Sequence, residues 1–303
     1  MSESVAYEKL IWKGNSSVLE VRGADALDFL HRLSTQDLRG NLKEPGTSTS
    51  TSFVTASGKL VEWCRVYRLA SEAFLLLCSS ERGDELREWI DRYVIIEDVE
   101  TKDVTADYVH LEVGAGVTAS ESFEVEGAYV VGVPSGMGFR CEVLYPVDGP
   151  VASQLEALVS GDATARERHR LLTGQPSPEF EYYKGTNPLE LNLLHDTIGW
   201  NAGCYIGQEI ISRMDSYDKV ARGLIGLECL ESEPPQIDPG TKLVDAEGKS
   251  VGKVTSSGRL ESGTLIGLAI VGRAYEAGTE VTADPGGVPT RWVLRQRSFG
   301  QAV

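Results

Sequence analysis

The sequence is poor in the features that mark several large classes of protein. It has 29 Lys and Arg against 45 Asp and Glu, and the formal net charge of −16 argues against a general binder of nucleic-acid backbones. No apolar run approaches the roughly 20 residues that a membrane-spanning helix needs, and the first residues lack the basic and apolar order of a signal peptide. We therefore expect a cytoplasmic protein that binds neither membranes nor nucleic acid directly.

Residues that bind metals are also scarce. The four histidines show no ligand spacing, and none of the five cysteines forms a C-x-x-C pair, so we expect neither a metal site nor a disulfide framework. Four cysteines stand in apolar, strand-like runs and are expected to be small buried side chains: Cys64, Cys78, Cys141 and Cys229. The fifth differs, because Cys204 lies between glycine and tyrosine in the stretch NAGCYIGQEIISRM.

That stretch, residues 201–214, predicts a loop that leads into a helix. Gly203 and Gly207 flank the segment that holds the cysteine, and glycine is favoured where the backbone turns sharply or approaches a ligand closely. The residues after Gly207 carry apolar side chains at helical spacing. Two interpretations of the cysteine stay open: an accessible thiol that meets a metal, a cluster or a disulfide partner, or a loop residue that only shapes a pocket wall.

Hydrophobic periodicity predicts an α+β fold. The stretch 7–23 alternates on both sides of KGNSS, which predicts a β-hairpin. Strands are expected in two further regions, 47–78 and 94–145. Helical spacing recurs in four segments: 23–37, 83–95, 151–161 and 163–174.

The composition changes near residue 223. From there, short β-branched runs alternate with Gly-rich turns, which predicts a small antiparallel β-barrel. We expect a first region over 1–222, divided into two subdomains near 100–150, and a barrel domain over 223–303.

Four motifs together resemble one family. GCYIGQE (203–209) is similar to the Lys-Gly-Cys-Tyr-x-Gly-Gln-Glu signature of the YgfZ-type folate-binding proteins, which are relatives of the T-protein (aminomethyltransferase) of the glycine cleavage system. VRGADALDFLHRLSTQDL (21–38), NPLELNL (187–193) and GKSVGKVTSSG (248–258) resemble segments of the wider superfamily in order and spacing. The resemblance spans roughly 17–285 and implies an aminomethyltransferase-like, folate-binding fold ahead of the barrel.

The sequence departs from the family pattern at three places. Ala202 replaces the lysine of the cysteine signature, so the loop lacks that positive charge. In RLLTGQP, which resembles the family's R-x-E-x-G-x-P segment, Leu172 stands where the acid is expected. Where aminomethyltransferases carry a pair of aspartates, one of them thought to serve catalysis, SGKLVEW has Val61 and Glu62. The last departure counts against aminomethyl transfer.

The resemblance implies tetrahydrofolate, or a derivative, as the cofactor. Glu190 matches the glutamate of the folate site, and one carboxylate can accept two hydrogen bonds from the donor edge of a pterin. Arg213 is placed by resemblance at the pocket mouth, where it would face the anionic glutamate tail. Asn187 and Tyr205 are weaker candidates for lining the pocket. The ordinary alternatives are a solvated acid on a short helix and a surface arginine.

The candidate functional thiol is Cys204, which is expected to face the same cavity. The other members of the motif would hold its loop or satisfy the first helical turn: Gly203, Gly207, Gln208 and Glu209. One cysteine cannot hold a four-ligand cluster, so any cluster would need ligands from a partner, a dimer or a transient contact. Asp37 either lines the cavity or is a carboxylate at a helix terminus.

Two functions of different classes follow. The preferred hypothesis, implied by the resemblance, is a tetrahydrofolate-binding factor for the assembly or repair of iron–sulfur clusters in client enzymes, including cluster-dependent tRNA-thiolating proteins. Its partners would be folate and iron–sulfur client enzymes or assembly factors. The alternative is one-carbon transfer of the aminomethyltransferase type, for which only Glu62 or Asp37 offers an acid or base near the folate nitrogens. A third alternative is a folate-binding scaffold without a role for the thiol.

Overall fold

The computed structural model describes residues 11–114, 122–125, 127–135, 138–182, 185–191, 197–284 and 287–297. The chain forms two compact units. The first takes in Met1–Val133, Phe139–Ser160 and Leu193–Arg213, and the second takes in Pro134–Gly138, Gly161–Asn192 and Met214–Val303. The sequence-based domain boundary at 222/223 stays a prediction. Within the described ranges, no helix has the length and apolar character needed to cross a bilayer.

The described residues form the following helices and strands. The α-helices are α1 (Ala26–Leu33), α2 (Leu38–Asn41), α3 (Gly83–Asp91), α4 (Ala152–Glu156), α5 (Ala163–Thr173) and α6 (Gln208–Ser216), with 3₁₀ turns at Thr105–Asp107 and Pro188–Leu191. The strands before α4 are β1 (Ile11–Lys13), β2 (Val18–Arg22), β3 (Ser48–Val54), β4 (Leu60–Ala70), β5 (Ala73–Cys78), β6 (Glu100–Asp103), β7 (Tyr108–Val113), β8 (Ser122–Val125), β9 (Ala128–Ser135) and β10 (Gly138–Pro146). Those after α6 are β11 (Arg222–Cys229), β12 (Lys242–Val244), β13 (Ser250–Arg259), β14 (Leu265–Gly272), β15 (Glu280–Ala283) and β16 (Thr290–Arg295).

A five-stranded antiparallel sheet of order β3-β4-β5-β2-β6 forms the centre of the first unit. All six residues of β5, AFLLLC, are buried, because both faces of this sheet are covered. Phe74 and Leu76 pack with apolar residues of α1 and α3, whereas Leu75 and Leu77 pack with residues of β9 and β10. The sequence of a strand that is covered on both faces is a continuous apolar run. Burial of each large apolar side chain in it contributes about 1.5–3 kcal/mol to the stability of the fold.

A second antiparallel sheet, of order β1-β7-β10-β9-β8, belongs to the same unit except for the last two residues of β9 and the first residue of β10. Ile11 in β1 lies opposite Val113 in β7, whereas β2 pairs with β5 and β6 in the central sheet. The hairpin predicted for 7–23 is therefore wrong, because KGNSS carries the chain from one sheet to the other. The local alternation showed where the two strands are but not their partners, which lie far along the chain.

The second unit contains a closed antiparallel barrel of order β11-β14-β13-β12-β15-β16, in which β11 also pairs with β16. Its interior packs around Trp292, together with Leu227 and Leu243. The indole N–H of Trp292 donates to Thr290 Oγ1 at 2.8 Å, so the one polar atom of this buried ring has a partner. The predicted α+β fold with a C-terminal barrel is confirmed.

Candidate functional site

The cysteine loop is shaped by two glycines in the left-handed region. Gly203 has φ 78° and Gly207 has φ 81°, values that side-chain-bearing residues rarely adopt. A Cβ on Gly207 would lie 2.5 Å from the carbonyl oxygen of Thr55, so the loop backbone there passes close to the end of β3. A Cβ on Gly203 would meet only His31, at 3.9 Å from Nε2. Gly207 is therefore required both for its conformation and for space.

Hydrogen bonds fix this loop at both ends. The backbone N–H of Ile206 donates to the carbonyl of Arg32 at 3.3 Å, which ties the loop to the end of α1. The Gln208 amide Nε2 donates to the carbonyl of Gly203 at 2.6 Å and so closes the loop from its far side. The N–H of Ile211 bonds to the carbonyl of Gly207 at 3.2 Å and begins α6, as the sequence predicts.

The loop held in this way exposes the side chain of Cys204 and buries that of Tyr205. Cys204 is exposed, whereas the other four cysteines are buried as predicted. The neighbouring Tyr205 is buried, and burial raises the pKa of its phenol to about 12. Tyr205 therefore keeps its proton at neutral pH. Ala202, at the position of the signature's lysine, is buried as well.

His31 is a neighbour of the cysteine loop that the sequence did not single out. Its side chain is 9% exposed, and its Nδ1 atom lies 3.7 Å from Asp37 Oδ1 without a hydrogen-bond partner in the described residues. Asp37 itself caps α2, because its Oδ1 accepts from the N–H of Gly40 at 2.9 Å. The helix-terminal interpretation of Asp37 is thus confirmed. The sequence marks His31 only as part of a largely apolar helix, LDFLHRL.

Glu190 lies in a 3₁₀ turn whose first residues cap one another. The Asn187 side chain accepts from the N–H of Leu189 at 2.9 Å, and Glu190 Oε2 accepts from the N–H of Asn187 at 3.1 Å. This is the reciprocal arrangement of a capping box, with Pro188 at the first helical position, where its missing N–H costs nothing. Asn187 is 1% exposed, and its amide Nδ2 also donates to Met214 Sδ at 3.4 Å.

The Glu190 carboxylate is buried and carries an ion pair that the sequence did not reveal. Arg222, the first residue of β11, donates from Nε to Oε1 at 2.9 Å and from Nη2 to Oε2 at 3.4 Å. The chemistry of Glu190 suits the donor edge of a pterin, because both oxygens are acceptors, but in this structure Arg222 and the backbone of Asn187 already donate to them. No local pattern links Arg222 with a glutamate that lies well before it in the sequence. Only the pairing of the 3₁₀ turn with β11 brings them together.

The remaining predicted site residues are distributed over both compact units. Arg213 is exposed on α6 and has no ion-pair partner within the described part of the chain, and Glu209 is exposed on the same helix. Arg213 and the cysteine loop belong to the first unit, whereas Asn187 and Glu190 belong to the second. A cavity shared by the glutamate and the thiol stays a prediction.

Glu62, a candidate acid for the alternative function, is used inside the first unit. It is 1% exposed and accepts hydrogen bonds from the hydroxyls of Ser79 and Ser80 and from the N–H of Trp63. Burial raises its pKa, and the hydrogen bonds oppose that rise. Its position two residues before the buried Cys64 on a strand was the signal for its burial, since alternate residues share a face.

Among the described residues, no group of three or more His, Cys, Asp or Glu side chains is placed to hold a metal ion. Cys204 therefore offers one thiol ligand rather than a complete metal site. Any cluster that meets it needs ligands from elsewhere.

Comparison with known proteins gives the relationships of the chain. Residues 15–122 match the model of the GCVT N-terminal domain. A chloroplastic protein of Arabidopsis thaliana is 28% identical over 267 residues, which cover 78% of this chain and 59% of that protein. The mitochondrial iron–sulfur cluster assembly factor IBA57 of Homo sapiens is 28% identical over 265 residues, which cover 78% of this chain and 71% of IBA57.

A solved structure tests the predicted fold. The crystal structure of the glycine cleavage system aminomethyltransferase T from Bartonella henselae matches 97% of this chain and 87% of that chain, with a TM-score of 0.77 and 18% identity. At this identity the match shows the fold alone. The predicted resemblance to the aminomethyltransferase superfamily, and its fold, are confirmed.

Proposed function

We propose that this chain, whose residues 15–122 match the GCVT N-terminal domain, is a tetrahydrofolate-binding factor that helps to assemble or repair iron–sulfur clusters in client enzymes. The observation that carries the proposal is the exposed thiol of Cys204, held on a loop that is fixed by two left-handed glycines. A rigid, accessible sulfur is suited to a transient contact with a cluster. The similarity to IBA57, which is named as a cluster assembly factor, supports this reading.

The folate part of the proposal rests on Glu190 and Arg213. Glu190 would accept hydrogen bonds from the pterin edge, and the exposed Arg213 would bind the anionic tail. Tyr205 would line the pocket with a phenol that is protonated at neutral pH. When bound, tetrahydrofolate supplies a carrier for one-carbon groups, and these residues would only hold and orient it.

The partners that we propose are the reduced folate itself and iron–sulfur client enzymes or assembly factors. Cluster-dependent tRNA-thiolating enzymes are the clients to test first, since thiolated tRNA is a stable product of their activity. We also propose the cytoplasm as the compartment. The five free cysteines support it, because thiols stay reduced there.

The alternative, aminomethyl transfer, finds less support in the first unit. The two acids that could serve it are both used in structural hydrogen bonds: Glu62 holds the residues that follow β5, and Asp37 caps α2. Turnover of an aminomethylated carrier protein in the presence of tetrahydrofolate would favour this alternative.

Folate binding is tested by calorimetry with reduced tetrahydrofolate under anaerobic conditions. Glu190→Gln keeps one carbonyl acceptor for the capping bond but replaces the other acceptor oxygen with a donor. We expect it to weaken binding at least about tenfold. The matched control is Glu228→Gln, since Glu228 also pairs with an arginine of the barrel, Arg295. Equal affinity of wild type and Glu190→Gln would remove Glu190 from the site.

The role of the thiol is tested in cells that lack the endogenous protein. We expect Cys204→Ala to fail to restore the activity of a cluster-dependent enzyme, whereas Cys229→Ala, which changes a buried barrel cysteine, restores it. Both variants must be present at wild-type abundance. Normal client activity with Cys204→Ala would remove the thiol from the mechanism.

A further inference from the structure

Three N–H donors hold the carboxylate of Glu190. Arg222 supplies two of them, Nε to Oε1 at 2.9 Å and Nη2 to Oε2 at 3.4 Å, and the backbone of Asn187 supplies the third, to Oε2 at 3.1 Å. An ionised carboxylate offers about four lone-pair positions. With three of them in use among the described contacts, one position, on Oε1, is open.

A pterin edge needs the positions that Arg222 holds. The edge presents two parallel N–H donors, and so does a guanidinium, so both seek one lone pair on each oxygen of the same carboxylate. The single open position on Oε1 satisfies one donor and leaves the second without an acceptor. The hydrogen bond from the backbone of Asn187 does not compete with a pterin for these positions, because it comes from within the turn that carries Glu190.

We propose that Arg222 is a built-in competitor for the ligand of Glu190: it occupies the recognition face in the free protein and must withdraw before a pterin can bind both oxygens. This inference rests on the proposed role of Glu190 in folate binding. It adds a residue that sets the affinity of the site and that also excludes ligands with only one donor, since these gain too little to displace a two-bond partner.

The surroundings of Arg222 allow it to leave. Its side chain is 50% exposed while that of Glu190 is 9% exposed, so the guanidinium can move into solvent and the carboxylate cannot. The backbone of Arg222 is fixed in the barrel opposite Gly272, and only the side chain needs to move. Ion pairs with an exposed partner contribute little net free energy, whereas the capping bond from Asn187 continues to orient Glu190 after Arg222 has gone.

The test is the affinity for tetrahydrofolate measured by calorimetry. Arg222→Met keeps the length of the side chain and removes the donors, so we expect binding about fivefold tighter than in wild type, the equivalent of an ion pair of this exposure. Arg222→Lys offers a single ammonium donor, so its affinity for tetrahydrofolate should lie between those of wild type and Arg222→Met. The matched control is Arg295→Met, which removes an arginine paired with Glu228 in the same barrel and should leave the affinity unchanged.

A second readout follows the arginine itself. In the free protein the Nε–H of Arg222 is hydrogen bonded, and its NMR signal, assigned by its absence in Arg222→Lys, should shift and exchange faster when tetrahydrofolate is added. A ligand that binds beside an undisturbed ion pair would leave this signal in place.

The possible outcomes separate the inference from the proposed function. Binding that depends on Glu190 but is equal or weaker in Arg222→Met overturns the inference alone, because Arg222 then supports the ligand or is indifferent to it. Binding that is detectable in Arg222→Met and absent in wild type supports the inference strongly. Absence of binding in wild type and in every variant overturns both.

Discussion

At the residue scale, the exposure of the thiols separates Cys204 from the other cysteines. Cys204 is the one exposed cysteine of the five, and burial raises the pKa of the Cys64 thiol well above its usual value. Since the thiolate is the reacting form, we expect the native protein to react rapidly with one equivalent of a disulfide reagent such as dithionitrobenzoate. Cys204→Ser should abolish this fast phase, and denaturant should release the buried thiols. Two or more fast equivalents in the native protein would contradict the burial of the others.

Glu62 gives a prediction in the pH dependence of stability. Burial raises the pKa of this carboxyl in the folded state above its usual value of 4.5, so the stability it contributes is full below pH 4.5 and is lost as the pH rises through the folded pKa. Glu62→Gln has no such titration. Urea unfolding of both proteins from pH 4.5 to 8 should therefore show the variant gaining free energy of unfolding relative to wild type as the pH increases.

The control for this experiment is Glu228→Gln, because Glu228 stands on a barrel strand with a side chain that is 33% exposed. Parallel stability curves for wild type and Glu62→Gln would mean that Glu62 is not a buried acid with a raised pKa.

At the scale of elements, the cysteine loop distinguishes its two glycines. Gly207→Ala must adopt a left-handed backbone and also place a Cβ 2.5 Å from the Thr55 carbonyl oxygen, whereas Gly203→Ala meets only the backbone strain. Strain of this kind costs about 1–3 kcal/mol, and the clash adds to it. Chemical denaturation should show Gly207→Ala as the less stable variant by at least about 1 kcal/mol. Equal losses in the two variants would contradict the close approach of the loop to β3.

Local patterns predicted the elements of the site better than their contacts. The helix that follows Gly207 and the position of Asp37 at a helix terminus were predicted, because helical spacing and terminal residues act within a few residues, but the short helix that Asp37 caps was not. The partner of Glu190 was not foreseen, since Arg222 reaches it only through the packing of a turn on a barrel strand. The proximity of His31 to the cysteine loop was not predicted either, because the two segments lie far apart in the sequence.

At the scale of the whole molecule, the sequence predicted the fold class and the barrel but not the pairing of the first strands. Glycine-rich turns between short β-branched runs mark neighbouring strands of a barrel, and there the local signal and the topology agree. In the first unit, β1 and β2 are neighbours in sequence and members of different sheets. Alternation specifies which face of a strand is buried, and it carries no information about a distant partner.

The net charge gives a prediction for the molecule as a whole. With 45 acidic and 29 basic residues, the chain carries −16 and should repel a polyanion that approaches within about the Debye length, which is about 8 Å at physiological salt. We therefore expect no retention of labelled tRNA in a mobility-shift assay at micromolar protein and physiological salt, even though the proposed clients modify tRNA. A basic RNA-binding domain serves as the positive control. Specific retention that weakens steeply with added salt would reveal a local cationic surface and would make tRNA a direct partner of this chain.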